Sequence, residues 1–397
     1  MPEETSTPAG FTADPERAGL DLDALQRLDA AIRRDITQGR HFGASVIAAR
    51  GGVVGYQAAI GESGVDRATR LEDRYVLMSV TKSITAVATL KMIETGLLSL
   101  DTRVADVIPE YAARGKQRVT IRHLLTHTAG AYSGFDGAGG LANSLQAGDM
   151  EAALAALAPW PILHRPGRRV VYSPWEGYGI LGEVVRRLDP QKRRYRDFLT
   201  EEIFAPLGMT SSSLGLRVDH PDRVPVRMVK ASDSAAQATS LFDQMNEAGE
   251  DWEVPAGSGF STVADVFRFA DALRNGGANE HGRVLSRAMV EYAFRNHTGD
   301  LQNDFWDFNK EAADLDDFPA NFTLGGGYVR GEGHFLTPLG HLASPSAFGA
   351  VGSGSTSWMV DPERDLTVVF LSSGLLEGLS HFQRLQRVND LALAAVL

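Results

Sequence analysis

Strand-forming runs lie at the two ends of this chain and helical patterning fills its middle. Near the start, Ala44–Arg50 and Val53–Ile60 are short apolar runs joined by Gly51-Gly52, the pattern of a β-hairpin. Near the end, Phe322–Val329, Ser357–Val360 and Leu366–Leu371 read as strands, the last two separated by the turn Asp361-Pro362-Glu363-Arg364-Asp365. Helical spacing flanks both sets. Leu22, Leu25, Leu28 and Ile32 mark a helix over Leu20–Ile36, with Arg33-Arg34 late, as the helix dipole favours. Phe382, Leu385, Val388, Leu391 and Leu393 mark a closing helix over His381–Leu397. The expected division is one sheet domain made from residues 20–95 and 256–397, a mainly helical domain over 96–255, and a loose arm over 1–19.

The middle supplies the helices. Val119–Leu125 is one segment, Met150–Leu157 another, stopped by Pro159 and Pro161. Gly177–Leu188 precedes Pro190, and Phe198–Leu207 is closed by Gly208. Val263–Arg274 ends at Asn275-Gly276-Gly277, a strong C-terminal stop. Gly134–Gly140 reads as a loop, and 210–255 is polar without a clear pattern.

Composition excludes several function classes. The 397 residues carry a net charge of −11, which disfavours nucleic-acid and anionic-membrane partners. There are no cysteines, so thiolate catalysis and Cys-based metal centres are out. Met1–Pro8 is acidic and polar, without the basic and apolar regions of a secretory signal. No run reaches the roughly 18 apolar residues of a spanning helix. The expectation is a soluble cytoplasmic protein acting on a small molecule, with no cofactor, metal, nucleic-acid or membrane partner; the oligomeric state is left open.

The chemistry centres on Met78-Ser79-Val80-Thr81-Lys82-Ser83, followed by a buried-helix pattern over Ile84–Ile93 and a stop at Gly96. Ser79 sits at the first turn and Lys82 lies one turn on, on the same face. A helix N-terminus stabilises an alkoxide or oxyanion. Burial and nearby positive charge keep a lysine neutral, and a neutral amine is a base. Alone, however, the pair reads more simply as an N-cap serine followed by an exposed lysine.

Further segments, in order, change that balance. Ile121–Gly130 (IRHLLTHTAG), Pro166–Ser173 (PGRRVVYS), Gly177–Gly182, Ile203–Thr210 (IFAPLGMT), Pro255–Asp265 (PAGSGFSTVAD) and Val360–Arg364 together resemble the serine β-lactamase-related superfamily, and within it the class C-like, family VIII esterase-type serine hydrolases. The resemblance covers the chain from about residue 40 onward. It implies a β-lactamase/transpeptidase-like α/β (α+β) fold: an antiparallel sheet flanked by the terminal helices, plus an inserted helical domain. It implies Ser79 as nucleophile with Lys82 and Tyr172 as the proton-transfer pair. A phenol beside an ammonium ionises below its usual pKa of about 10, so either can be the operative base. It also implies oxyanion donors at the backbone of Ser79 and near Val351, with Phe348, Gly349, Ala350, Tyr132 and Trp175 around the substrate.

Two departures narrow the electrophile. Where penicillin-processing relatives carry Tyr-x-Asn, this chain has Tyr172-Ser173-Pro174. Where they carry Lys-Thr-Gly or His-x-Gly, it has Phe348-Gly349-Ala350-Val351-Gly352, without the cation that binds a carboxylate. An uncharged ester, or an amide, is therefore favoured over a β-lactam. An acyltransferase using the same acyl-enzyme, a β-lactamase or D-amino-acid peptidase, and a non-catalytic binding protein on this fold are the alternatives. Gly352-Ser353-Gly354-Ser355 lacks the residues of a phosphate loop and reads as a turn. No Gly-x-Ser-x-Gly elbow occurs. His123 and His127 read as structural, and His334 and His341 as surface loop residues. Among Trp160, Trp175, Trp252, Trp306 and Tyr328, some are expected in an apolar pocket, with residues 298–320 as a lid or rim.

Overall fold

The computed structural model describes residues 11–133, 150–229, 243–376 and 378–397; the loop expected at Gly134–Gly140 lies outside them. A seven-stranded sheet in the order β3-β2-β1-β10-β9-β8-β7 joins the two ends of the chain. Its strands are β1 (Gly43–Arg50), β2 (Val53–Gly64), β3 (Arg67–Ala68), β7 (Tyr328–Val329), β8 (Phe348–Gly352), β9 (Thr356–Asp361) and β10 (Leu366–Ser373). The junction is the antiparallel ladder of β1 on β10, from Gly43 opposite Ser373 to Arg50 opposite Leu366.

Both faces of the central strands are covered, which is why they read as unbroken apolar runs rather than alternating ones. On one face, Val46, Ala48, Val368 and Phe370 pack with Leu25, Leu28 and Ile32 of helix Leu22–Thr37 and with Leu385 and Val388 of the closing helix Gly378–Leu393. On the other, Ile47, Ala49, Val369 and Leu371 join a larger core. That core takes in Val266, Phe269 and Leu273 of helix Val263–Arg274 and continues into the helical region through Leu124, Tyr178, Leu181 and Val184.

A second, three-stranded sheet, β4 (Tyr75–Val76), β6 (Gly259–Ser261) and β5 (Ser213–Leu214) in the order β4-β6-β5, leads into the serine helix, Thr81–Glu94. That helix is buried along most of its length, its polar Thr81, Lys82, Ser83, Thr85 and Thr89 included.

Several boundaries differ from the sequence expectation. The strand expected over Phe322–Val329 is reduced to Tyr328–Val329. Gly325-Gly326-Gly327 turns the chain against the serine helix, where a Cβ on Gly326 would stand 2.6 Å from the Lys82 carbonyl oxygen. The helix expected over Phe198–Leu207 is instead Tyr195–Leu199, followed by a π turn and a 3₁₀ turn to Leu207. The helix ending at Leu188 begins with a π turn, Trp175–Gly179, before Ile180.

Candidate active site

Ser79 lies in a 3₁₀ turn, Met78–Val80, that precedes the serine helix. The turn is locked through Leu77. Its N–H donates to Gly259 O of β6 (2.7 Å), and its carbonyl accepts from Thr356 Oγ1 of β9 (2.7 Å). Met78, next in line, has φ +50°. A bulky side chain in the left-handed region stores about 1–3 kcal/mol of strain, which persists only where the surroundings over-determine the backbone. Both sheets supply that constraint here, and Ser79 is the residue they present.

Tyr172 comes from an extended segment of the helical region and places its hydroxyl 2.6 Å from Ser79 Oγ. Lys82 is buried and donates from Nζ to Ala256 O (3.0 Å). Its Nζ stands 5.1 Å from the centre of the Tyr172 ring and 5.9 Å from that of Tyr178. The Pro255-Ala256 loop is held in turn by Thr85, whose hydroxyl donates to Pro255 O (2.7 Å). A lysine closed off from water is disfavoured as a cation, and burial pushes Lys82 well below the usual lysine range.

A lowered phenol beside an ammonium is one of the two bases that the sequence leaves open; burial instead pushes Tyr172 up, only partly offset by the hydrogen bond to Ser79. Burial is the cause in both groups: it disfavours the ammonium of Lys82 and the phenolate of Tyr172 alike.

Tyr172 is also packed by rings. His127 lies 4.7 Å away and Phe305 5.4 Å, and Phe322 stacks at 6.4 Å. His127 is buried, with φ +55°, and burial next to Lys82 drives its pKa well down, so the imidazole is neutral. Its Nδ1 accepts the Ser173 N–H (3.2 Å), which assigns the ring proton to Nε2.

Strand β8 closes the site from the sheet side. A Cβ on Gly352 would overlap the Leu77 carbonyl and Thr356 Oγ1, so only glycine lets the strand end lie against the Ser79 turn. Val351, one residue earlier, is half-buried and packs with Phe318, Leu379 and Phe382, beside Trp306, Tyr328 and Phe335. Gly349 sits opposite Met359 of β9. Ala350 and Phe348 face the other way. The Phe348 ring lies 4.5 Å from Phe294 and 5.9 Å from Trp358, in the core. Phe348 thus contributes its backbone to this strand while its side chain supports the fold, a correction to its expected place around the substrate. Tyr132 meets the edge of Trp160 at 5.0 Å, and Trp175 packs against the main core from its π turn. Trp252 is buried against Phe260 and belongs to the main core.

Sequence reasoning missed Asn303, whose Oδ1 accepts the Tyr172 N–H (3.2 Å), and left Ala256 without a role. Asn303 sits within the stretch expected as a lid, in a sequence context (Gln302-Asn303-Asp304) that carries no signal beyond a turn. His123 has the structural role expected of it: Nδ1 accepts the Thr120 N–H (3.1 Å) and caps a helix start.

The antiparallel sheet, the flanking terminal helices and the buried serine helix define the β-lactamase and penicillin-binding-protein class of fold. The family model described as Beta-lactamase matches residues 28–393, and the chain belongs to that family. Esterase EstB of Burkholderia gladioli is 29% identical over 405 residues, covering 92% of this chain and 95% of that protein. Esterase/beta-lactamase LipL of Mycobacterium tuberculosis is 27% identical, covering 77% of this chain and 70% of its own. Among solved structures, a family VIII carboxylesterase superposes with a TM-score of 0.72 at 21% identity, covering 94% of this chain and 98% of the other. At that identity the likeness is one of fold.

Proposed function

We propose that this protein is a serine hydrolase that cleaves a carboxylic ester through a covalent acyl-Ser79 intermediate. The observation that carries the reading is the 2.6 Å contact between Ser79 Oγ and the Tyr172 hydroxyl, with the buried amine of Lys82 behind it. The esterase names among the relatives agree with it. In the acylation step Ser79 Oγ bonds to the ester carbonyl carbon and gives up its proton to the Tyr172 oxygen. The phenolic proton passes on, so that one proton in all moves from Ser79 to Lys82. The tetrahedral intermediate collapses by breaking the carbon–oxygen bond to the alcohol, which takes that proton as it leaves. Water then attacks the acyl-serine by the same route in reverse.

Backbone N–H groups at Ser79 and Val351 are the proposed oxyanion donors; the close approach of β8 to the Ser79 turn supports this. Tyr132 and Trp175, with the apolar cluster beyond Val351, are the proposed substrate walls. With Ala350 buried in the core at the third motif, an uncharged ester fits the site better than a carboxylate-bearing lactam. The division into residues 20–95 plus 256–397 and 96–255, and action in the cytoplasm on a dissolved small molecule without nucleic-acid or membrane partners, belong to the same proposal. Among the described residues, no helix is long and apolar enough to cross a membrane.

The test uses p-nitrophenyl acetate, butyrate and octanoate, nitrocefin and a fluorophosphonate label, with Ser79→Ala as control. Ester turnover and labelling by the wild type, both lost in Ser79→Ala, is the expected result. Identical behaviour of the two proteins would overturn the enzymatic reading, and nitrocefin turnover rivalling the esters would overturn the choice of electrophile.

A further inference from the structure

The segment Val170–Ser173 delivers Tyr172 to the nucleophile, yet it belongs to no ladder of the two sheets. Its backbone groups still need partners, because a buried N–H left alone is costly. Two short stretches supply them. The Val171 N–H donates to His127 O (3.0 Å), and the Ser173 N–H donates to His127 Nδ1 (3.2 Å). The Tyr172 N–H donates to Asn303 Oδ1 (3.2 Å), and Val170 O accepts the Asp304 N–H (3.0 Å). Successive amides of an extended chain point in opposite directions. His127 therefore holds one edge of the segment and Asn303 the other, and the phenol projects from between them. The rings repeat the arrangement, with His127 packed on Tyr172 and Phe305, two residues after Asn303, packed beside it.

Two details argue against a merely local role. Asn303 Oδ1 also accepts the Phe305 N–H (3.3 Å), so two donors converge on one atom and that atom must be the oxygen. The amide Nδ2 is then left buried without a partner, a cost retained alongside the contact to Tyr172. His127 adopts φ +55°, a left-handed conformation that brings its carbonyl and its ring to the same edge of the segment.

We infer that His127 and Asn303 are the positioning residues for Tyr172, clamping the extended segment from opposite edges and so setting its phenol against Ser79. The inference rests on Tyr172 taking the serine proton, as proposed above. Neither residue touches the reacting atoms: Asn303 acts through the Tyr172 backbone and His127 through the backbone of its neighbours Val171 and Ser173. A displacement of about 1 Å at a proton-transfer contact is enough to cost about a hundredfold in rate.

The test is a double-mutant cycle on acylation, read as the p-nitrophenol burst from p-nitrophenyl acetate and as the fluorophosphonate labelling rate. His127→Leu and Asn303→Leu remove the side-chain acceptors and leave the His127 carbonyl in place; His127→Asn and Asn303→Asp keep a side-chain acceptor oxygen at similar reach. The expected result is a loss of about 10- to 100-fold in acylation for each leucine variant, carried by kcat more than by KM. The acceptor-keeping variants recover most of it. In a Tyr172→Phe background the leucine substitutions change the rate by less than about threefold, because the group they position is gone. An equal loss in both backgrounds would assign them a structural role and overturn the inference, as would wild-type acylation by folded leucine variants. If His127→Leu does not fold, as judged by circular dichroism, the Asn303 pair carries the test alone. Wild-type acylation by Tyr172→Phe itself would instead bring down the reading of Tyr172.

Discussion

The hydroxyl of Tyr172 and Oγ of Ser79 lie 2.6 Å apart across 93 residues of sequence. A contact that short joins the Ser79 turn, locked between the two sheets, to a segment of the helical region. It makes the phenol the first group able to receive the serine proton. Tyr172→Phe keeps the ring and its packing and removes only that oxygen. Acylation of Ser79 is expected to fall by about 10²–10⁴-fold with little change in thermal stability. Burst kinetics with p-nitrophenyl acetate measure it, and a near-normal burst would remove Tyr172 from the mechanism.

Lys82 sets the pH response. Burial lowers its pKa, so the folded protein holds it neutral over a range in which the unfolded chain still binds the proton. The sign follows: within that range the unfolded state carries more protons, and stability rises with pH. Activity has the same direction, because protonation removes the base. The acid limb of kcat/KM is expected to report Lys82, and Lys82→Met is expected to abolish both the limb and most of the acylation while the protein stays folded. A limb that survives unchanged in a still-active Lys82→Met would refute the assignment.

Gly352 tests the sheet side of the site. A methyl group there overlaps the carbonyl of Leu77 and the hydroxyl of Thr356. Gly352→Ala is expected to destabilise by about 1–3 kcal/mol, the range for overpacking a filled site, and to slow acylation because the Ser79 turn must shift. Thermal denaturation and the p-nitrophenol burst read the two effects.

A stability prediction free of the catalytic groups comes from Lys116. It is fully buried, donates from Nζ to the carbonyls of Leu157 (2.8 Å), Ala158 (3.0 Å) and Trp160 (2.7 Å), and lies 3.8 Å from Glu176. Tyr111 donates to the same carboxylate (2.8 Å). Lys116→Met leaves a buried carboxylate uncompensated and is expected to cost about 3–5 kcal/mol. Adding Glu176→Gln is expected to restore part of the loss. Denaturant unfolding of the single and double variants measures the coupling, and simple additivity would show that the pair is not linked.

Much of this arrangement was readable from local pattern. The β1–β2 hairpin, helix Val263–Arg274 with its Asn-Gly-Gly stop, and the turn after Asp361 follow from periodicity and turn chemistry that involve only neighbouring residues. Ser79 and Lys82 were legible because one helical turn brings them to one face. The strand expected over Phe322–Val329 failed where neighbours in space override propensity: its glycines serve the close approach of the serine helix. Phe348 was misplaced because strand alternation depends on which face of the sheet is the core, and that was set by Phe294 and Trp358.

By itself, the sequence determined which residues could take part in the chemistry and which elements would carry them, since both depend on residue type and short-range spacing. Only the tertiary structure decided their state. Burial lowered the pKa of Lys82, which has no charged partner among the described residues, and kept Tyr172 a phenol. The two sheets forced Met78 into a left-handed conformation, and Asn303, 131 residues beyond Tyr172, supplied the acceptor for its backbone. Desolvation and strain arise from what surrounds a group in space, and no window of sequence contains that information.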